Sequence, residues 1–67
     1  MNYIGMIEIN KNIIYICQDN DHLLYGTVSN VGFMEHGREK IDTYFDLDEN
    51  LQELAEKLEK EEVIWIN

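Results

Sequence analysis

Tyr3-Ile4-Gly5-Met6-Ile7-Glu8-Ile9, then Asn10-Lys11-Asn12, then Ile13-Ile14-Tyr15-Ile16-Cys17: these residues decide the class of fold. The first run is rich in β-formers, with Ile7 and Ile9 on one face and Ile4 and Met6 on the other. The polar break has hairpin length, and asparagine tolerates the positive φ that such turns need. The second run is apolar on both faces, as a central strand is. Asp19-Asn20-Asp21 ends it, and Leu23 to Ser29 reads as a third strand in which Gly26 marks a bulge or a close backbone approach.

The middle of the chain is less regular. Asn30-Val31-Gly32 and His36-Gly37 look like turns, and Lys40 to Phe45 reads as a strand with Ile41, Thr43 and Phe45 on one side. A short strand over Phe33-Met34-Glu35 fits between the turns, and a helical turn over residues 33–40 is the alternative. The helix that follows is plain. Leu47, Leu51, Leu54, Leu58 and Ala55 form one stripe at helical spacing. Asp46 or Asp48 caps it, and Asp46 with Glu49 makes an acidic capping box. Glu53 with Lys57 and Glu56 with Lys60 are favourable i,i+4 pairs on the solvent face. Val63-Ile64-Trp65-Ile66 then reads as a last strand, apolar on both faces.

These elements predict an α+β fold: a four- to five-stranded, mostly antiparallel sheet, flat or curved into a half-barrel, with one amphipathic helix near the C-terminus and a final buried strand. The expected strands are about 3–9, 13–18, 23–29, 40–45 and 62–66, with the helix about 48–60. Sixty-seven residues allow one small domain spanning residues 1–67. One helix covers one face of such a sheet, so the apolar second face predicts a homodimer.

Composition narrows the setting. No run approaches the length of a membrane span, no signal peptide is expected, and a lone cysteine, Cys17, fits a reducing cytoplasm. Residue types favoured by AT-rich codons (Phe, Tyr, Met, Ile, Asn, Lys) total 29, against 6 for Gly, Ala, Arg and Pro, which points to a low-GC bacterium or its phage or plasmid. That bias enriches lysine as much as glutamate, yet there are nine Glu and four Lys. The formal net charge of −9 is uneven: −2 over residues 1–34 and −7 over residues 35–67. Summed over so small a body, it repels nucleic acid and anionic membrane and attracts basic surfaces.

Candidate sites are sparse. Asp19-Asn20-Asp21 and Asp46-Leu47-Asp48 begin like calcium loops, but the glycine and glutamate those loops need are replaced by Leu24 and Asn30, and by Leu51 and Lys57. Cys17, His22 and His36 lack zinc-ligand spacing. Cys17 lies in an apolar run with no cation to activate it. No catalytic, metal or cofactor residue is assigned, and no enzyme is expected; a small site built from Cys17, His22 and Tyr25 ranks last. Tyr3, Tyr15, Tyr25 and Tyr44 offer stacking surface for bases, but without basic neighbours they read better as half-wet interface residues. The acidic ladder is the feature left. Glu49, Glu53 and Glu56 share one helix side, flanked by Asp42, Asp46, Asp48, Glu61 and Glu62. As a partner-binding surface it fits a basic protein, such as a nucleic-acid enzyme inhibited by a DNA mimic, with no direct nucleic-acid contact. The alternatives are a solvated face that keeps a small protein soluble, and a structural or regulatory subunit that assembles through its apolar sheet face.

Overall fold

The computed structural model describes residues 1–61. Strands β1 (Asn2–Ile9), β2 (Asn12–Asp19), β3 (His22–Ser29) and β4 (Gly32–Lys40) form one antiparallel sheet in the order β1-β2-β3-β4, followed by helix α1 (Leu47–Lys60). The fold is α+β as expected, and the sheet is not closed. Each connection is short because each turn is built for it. Asn10 and Lys11 both take positive φ (51° and 67°), the geometry of a type I′ hairpin. Asn20 (φ 54°) and Gly32 (φ 112°) supply the positive φ of the other two turns.

The expected strand at 40–45 is corrected. The fourth strand runs Gly32–Lys40, and residues 41–46 form an irregular connector to the helix. His36-Gly37 is not a turn either. Tyr25 pairs with Gly37 and Gly26 with Glu35, so His36 is the extra residue of a β-bulge. Glycine is needed on both sides of this bulge. A Cβ on Gly26 would collide with the Met34 carbonyl, and one on Gly37 would collide with the Tyr25 ring. Thr27 Oγ1 and His36 Nε2 lie 3.1 Å apart in a hydrogen bond across the two strands. The final strand expected at 62–66 lies outside the described residues.

The core lies between α1 and one sheet face. Ile14, Ile16 and Leu23 from the sheet and Leu58 from the helix are fully buried, with Ile9 and Leu54 beside them. Ile4, Ile7, Tyr25, Leu51 and Ala55 pack around this cluster. Asn50 is the polar exception, 6% exposed. Its Oδ1 accepts from Asp42 N (2.8 Å), and its Nδ2 donates to the carbonyls of Asp42, Phe45 and Asp46 (3.0, 3.3 and 2.8 Å). One side chain thus satisfies the connector's backbone in place of strand pairing, which leaves Tyr44 fully outside.

Two outcomes follow from this core. Leu58→Ala leaves a cavity under the helix and costs about 2–5 kcal/mol, whereas Ile14→Val costs about 0.5–1.5 kcal/mol, both read from urea unfolding. Tyr25 is pushed above the usual phenol range by burial first, and then by the carboxylates of Glu61 and Glu35. The fold favours the neutral phenol, so its contribution is complete below the unfolded tyrosine value and is lost as pH rises through the higher folded value. Ultraviolet titration should show one phenol ionising later than the others, and Tyr25→Phe should reduce the alkaline loss of stability. A variant that unfolds in alkali as the parent does would contradict this.

Candidate functional site

The acidic residues singled out by sequence are spread over three local tasks. Asp42 sits in the connector, where its Oδ1 accepts from Tyr44 N at 3.0 Å. Asp46 is the N-cap of α1: its Oδ1 accepts from Glu49 N (2.8 Å), and Glu49 Oε1 accepts from Asp46 N (3.3 Å). Asp48 stands with Glu49 in the first turn, where carboxylates complement the helix dipole. Glu53 and Glu56 are exposed along the helix. Glu61 is the C-cap, 4.0 Å from Lys57 Nζ. Glu62 lies outside the described residues. Capping and turn chemistry therefore occupy half of the proposed ladder.

The sheet face away from α1 has a different chemistry. Strand alternation and register place Tyr3, Met6 and Glu8 of β1 on it, beside Cys17, Tyr15 and Ile13 of β2. Leu24, Gly26 and Val28 of β3 follow, opposite Arg38, Glu35 and Phe33 of β4. No described element covers this face. Tyr3, Met6, Ile13 and Val28 are exposed, while Cys17 and Leu24 at its centre are buried. The rings of Tyr3 and Tyr15 meet at 6.3 Å between centroids, tilted by 44°. Arg38 donates from Nε and Nη2 to the two Glu35 oxygens at 2.9 and 2.8 Å. That fork holds the Glu35 carboxyl below the usual range and raises Arg38.

Charge is partitioned between the two layers. Residues 1–40 carry five carboxylates against Lys11, Arg38 and Lys40, whereas residues 41–61 carry eight against Lys57 and Lys60. The acidity thus belongs to the connector and helix, and the sheet is close to neutral. Of the other candidates, Cys17 is buried, His22 Nδ1 pairs with Asp21 at 2.9 Å, and His36 bonds Thr27. Among the described residues no group of three or more His, Cys, Asp or Glu side chains converges as metal ligands do. Nor is any described helix long and apolar enough to cross a membrane.

Residues 1–65 match the family model for the 8-oxoguanine DNA glycosylase, N-terminal domain. No match is found among the curated proteins or the solved structures. The family match overturns four expectations. A DNA-glycosylase family takes the place of a non-catalytic inhibitor, DNA mimic or phage protein, and equally of a structural subunit. The expectation of no enzyme falls, because this is a domain of an enzyme family. The expectation of a basic protein partner with no direct nucleic acid gives way to a DNA context. The physical reason is the partition of charge: a total of −9 says nothing about a sheet face that carries little of it.

The local tasks of the carboxylates are testable by stability alone. Asp46→Ala removes the N-cap bond and costs about 1 kcal/mol. Glu56→Ala, on the solvent face, stays within about 0.5 kcal/mol of the parent. Equal costs in urea unfolding would contradict the assignment of Asp46 as cap.

Proposed function

The chain belongs to the 8-oxoguanine DNA glycosylase N-terminal domain family, and from that membership we propose that it acts in DNA repair, in the removal of oxidised guanine, through a sheet face turned toward the DNA. The observation that carries this reading is the match over residues 1–65. The distribution of charge supports it. A polyanion is repelled by the carboxylates of α1 and the connector, so the side opposite α1 is the one that DNA can approach at least electrostatic cost.

That side also carries the right contact groups. A glycosylase reaches its target only when the base leaves the stack, and unstacked bases are held by aromatic faces and guanidinium planes. Tyr3 and Tyr15 form such an aromatic pair, and Arg38 lies on the same face with its fork oriented by Glu35. With one arginine and few other cations on this surface, contact relies on stacking more than on phosphate neutralisation. Binding is therefore modest and depends weakly on salt. A cytoplasmic setting, where bacterial DNA is accessible and Cys17 stays reduced, fits the same reading.

Fluorescence anisotropy of a labelled duplex with one 8-oxoguanine, titrated with the full chain at two salt concentrations, tests this. Binding should weaken about tenfold in a Tyr3→Ala, Tyr15→Ala double variant, as expected for loss of base stacking. It should be untouched by Glu56→Ala. Absence of binding at low salt, or full binding by the double variant, would overturn the reading.

A further inference from the structure

The register of the open sheet face sets its side chains in rows across the four strands. Tyr3 pairs with Cys17, Cys17 with Leu24, and Leu24 with Arg38. The next row is Met6, Tyr15, Gly26 and Glu35. Each row is uneven in a way that its own reversal corrects. The first has an aromatic ring at one end and a guanidinium at the other, with buried Cys17 and Leu24 between them. In the second, the Tyr15 ring stands beside Gly26, which presents no side chain, and Met6, 60% exposed, lies at the end away from Glu35.

We propose that this face packs against the same face of a second copy, about a two-fold axis that runs close to the strand direction through the middle of both rows. Such an axis sets β1 of each copy over β4 of the other, an isologous contact. Tyr3 then meets the guanidinium of the other copy's Arg38, and the cation–π pair occurs twice. Tyr15 of each copy enters the gap over the other's Gly26, and Met6 lies against the other's Glu35. Ile13 and Val28, 49% and 43% exposed, close the end of the interface beyond Tyr15. A small tilt of the axis gives the crossing of about −30° at which twisted sheets stack.

Area and charge both point to a second copy. Strands of eight or nine residues, each residue rising about 3.3 Å and each strand about 4.8 Å from the next, present roughly 500 Å² per copy. The pair therefore buries about 1,000 Å², the lower limit for a specific interface and the size of a transient one. The chain as a whole carries −9 and repels its own kind. This face is the exception, because alternation places Glu8, Asp19 and Glu35 on it against Arg38 and Lys40. Stacking through it puts the two carboxylate-rich helices on the outside, roughly 30 Å apart and several screening lengths from each other at physiological salt. A second copy also competes with the DNA contact proposed above. That consequence rests on the DNA-repair reading, whereas the pairing itself does not.

Sedimentation of the full chain without DNA, over about a hundredfold range of concentration, tests the pairing. A monomer–dimer equilibrium in the micromolar range is expected, with nuclear magnetic resonance shifts on dilution confined to the open face around Met6, Ile13, Tyr15 and Val28. Met6 tests the axis. Met6→Glu sets a second carboxylate at each Glu35 contact and should weaken dimerisation at least about tenfold, whereas Met6→Lys supplies an ammonium there and should strengthen it. Circular dichroism of both variants should match the parent, because the position is exposed. A monomer at every concentration, dilution shifts centred on α1, or equal effects of the two Met6 variants would overturn the proposal. A labelled duplex separates the two readings: a dimer that binds no duplex removes only the DNA reading, and a monomer that binds duplex removes only this inference.

Discussion

A single helix packed on one side of a four-stranded sheet is the constraint on which the rest of this molecule depends. Leu54 and Leu58 close over Ile14, Ile16 and Leu23, and they bury the face that lies beneath them. The opposite face is left without a described partner, although its centre is as apolar as a core. Cys17 and Leu24 are buried there, while the aromatic and aliphatic side chains around them meet solvent. The fold thus divides its surfaces by construction: one is consumed by stability, and the other is covered by no described element.

The same division organises the electrostatics. Helix α1 and its connector need carboxylates for local reasons. Asp46 caps, Glu49 completes the capping box, and Asp42 holds the Tyr44 amide. Each is stabilising where it stands, and together they make one layer strongly negative. Because that layer lies on the far side of the sheet, its charge is not the charge that a ligand on the open face meets at close range. Net charge is a sound argument about solubility and long-range attraction. It is a poor argument about which partner a particular face accepts.

Three strands and the helix were legible because their patterns are clean. Strand-sized runs of β-forming residues mark β1 through β3, the Asn-rich breaks mark the turns, and the leucine stripe with Asp46 and Glu49 marks α1. Strand β4 was legible only at Phe33-Met34-Glu35, because Gly32-Phe33-Met34-Glu35-His36-Gly37-Arg38-Glu39-Lys40 has no alternation to extend it. It stands at the end of the described sheet and is largely exposed, and its bulge breaks the period of two. Asn50 was missed, although a signal existed. It lies four residues before Leu54 and eight before Leu58, in phase with the buried stripe, and a polar residue in that phase must satisfy its hydrogen bonds indoors. The uncovered apolar face was expected from the sequence, but the aromatic pair on it was not. Tyr3 meets Tyr15 only because Ile4 is the extra residue of a bulge in β1, which resets the faces downstream.

The bulge in β4 carries the same logic to the one cationic group that matters on the open face. Residues three apart in a regular strand point to opposite sides, so Glu35 and Arg38 would be separated by the sheet. With His36 as the extra residue of the bulge, Glu35 stands opposite Gly26 and Arg38 opposite Leu24, two positions on one face of β3. The guanidinium can then lie flat beside the carboxylate and donate twice to it. Gly26 permits the approach of the β4 backbone that this requires, and Gly37 leaves room on the other face for the Tyr25 ring. Two glycines and a bulged histidine therefore determine which side of the sheet receives its arginine. Had β4 been a regular strand, Arg38 would point toward α1, and the open face would present its aromatic rings beside an unneutralised Glu35.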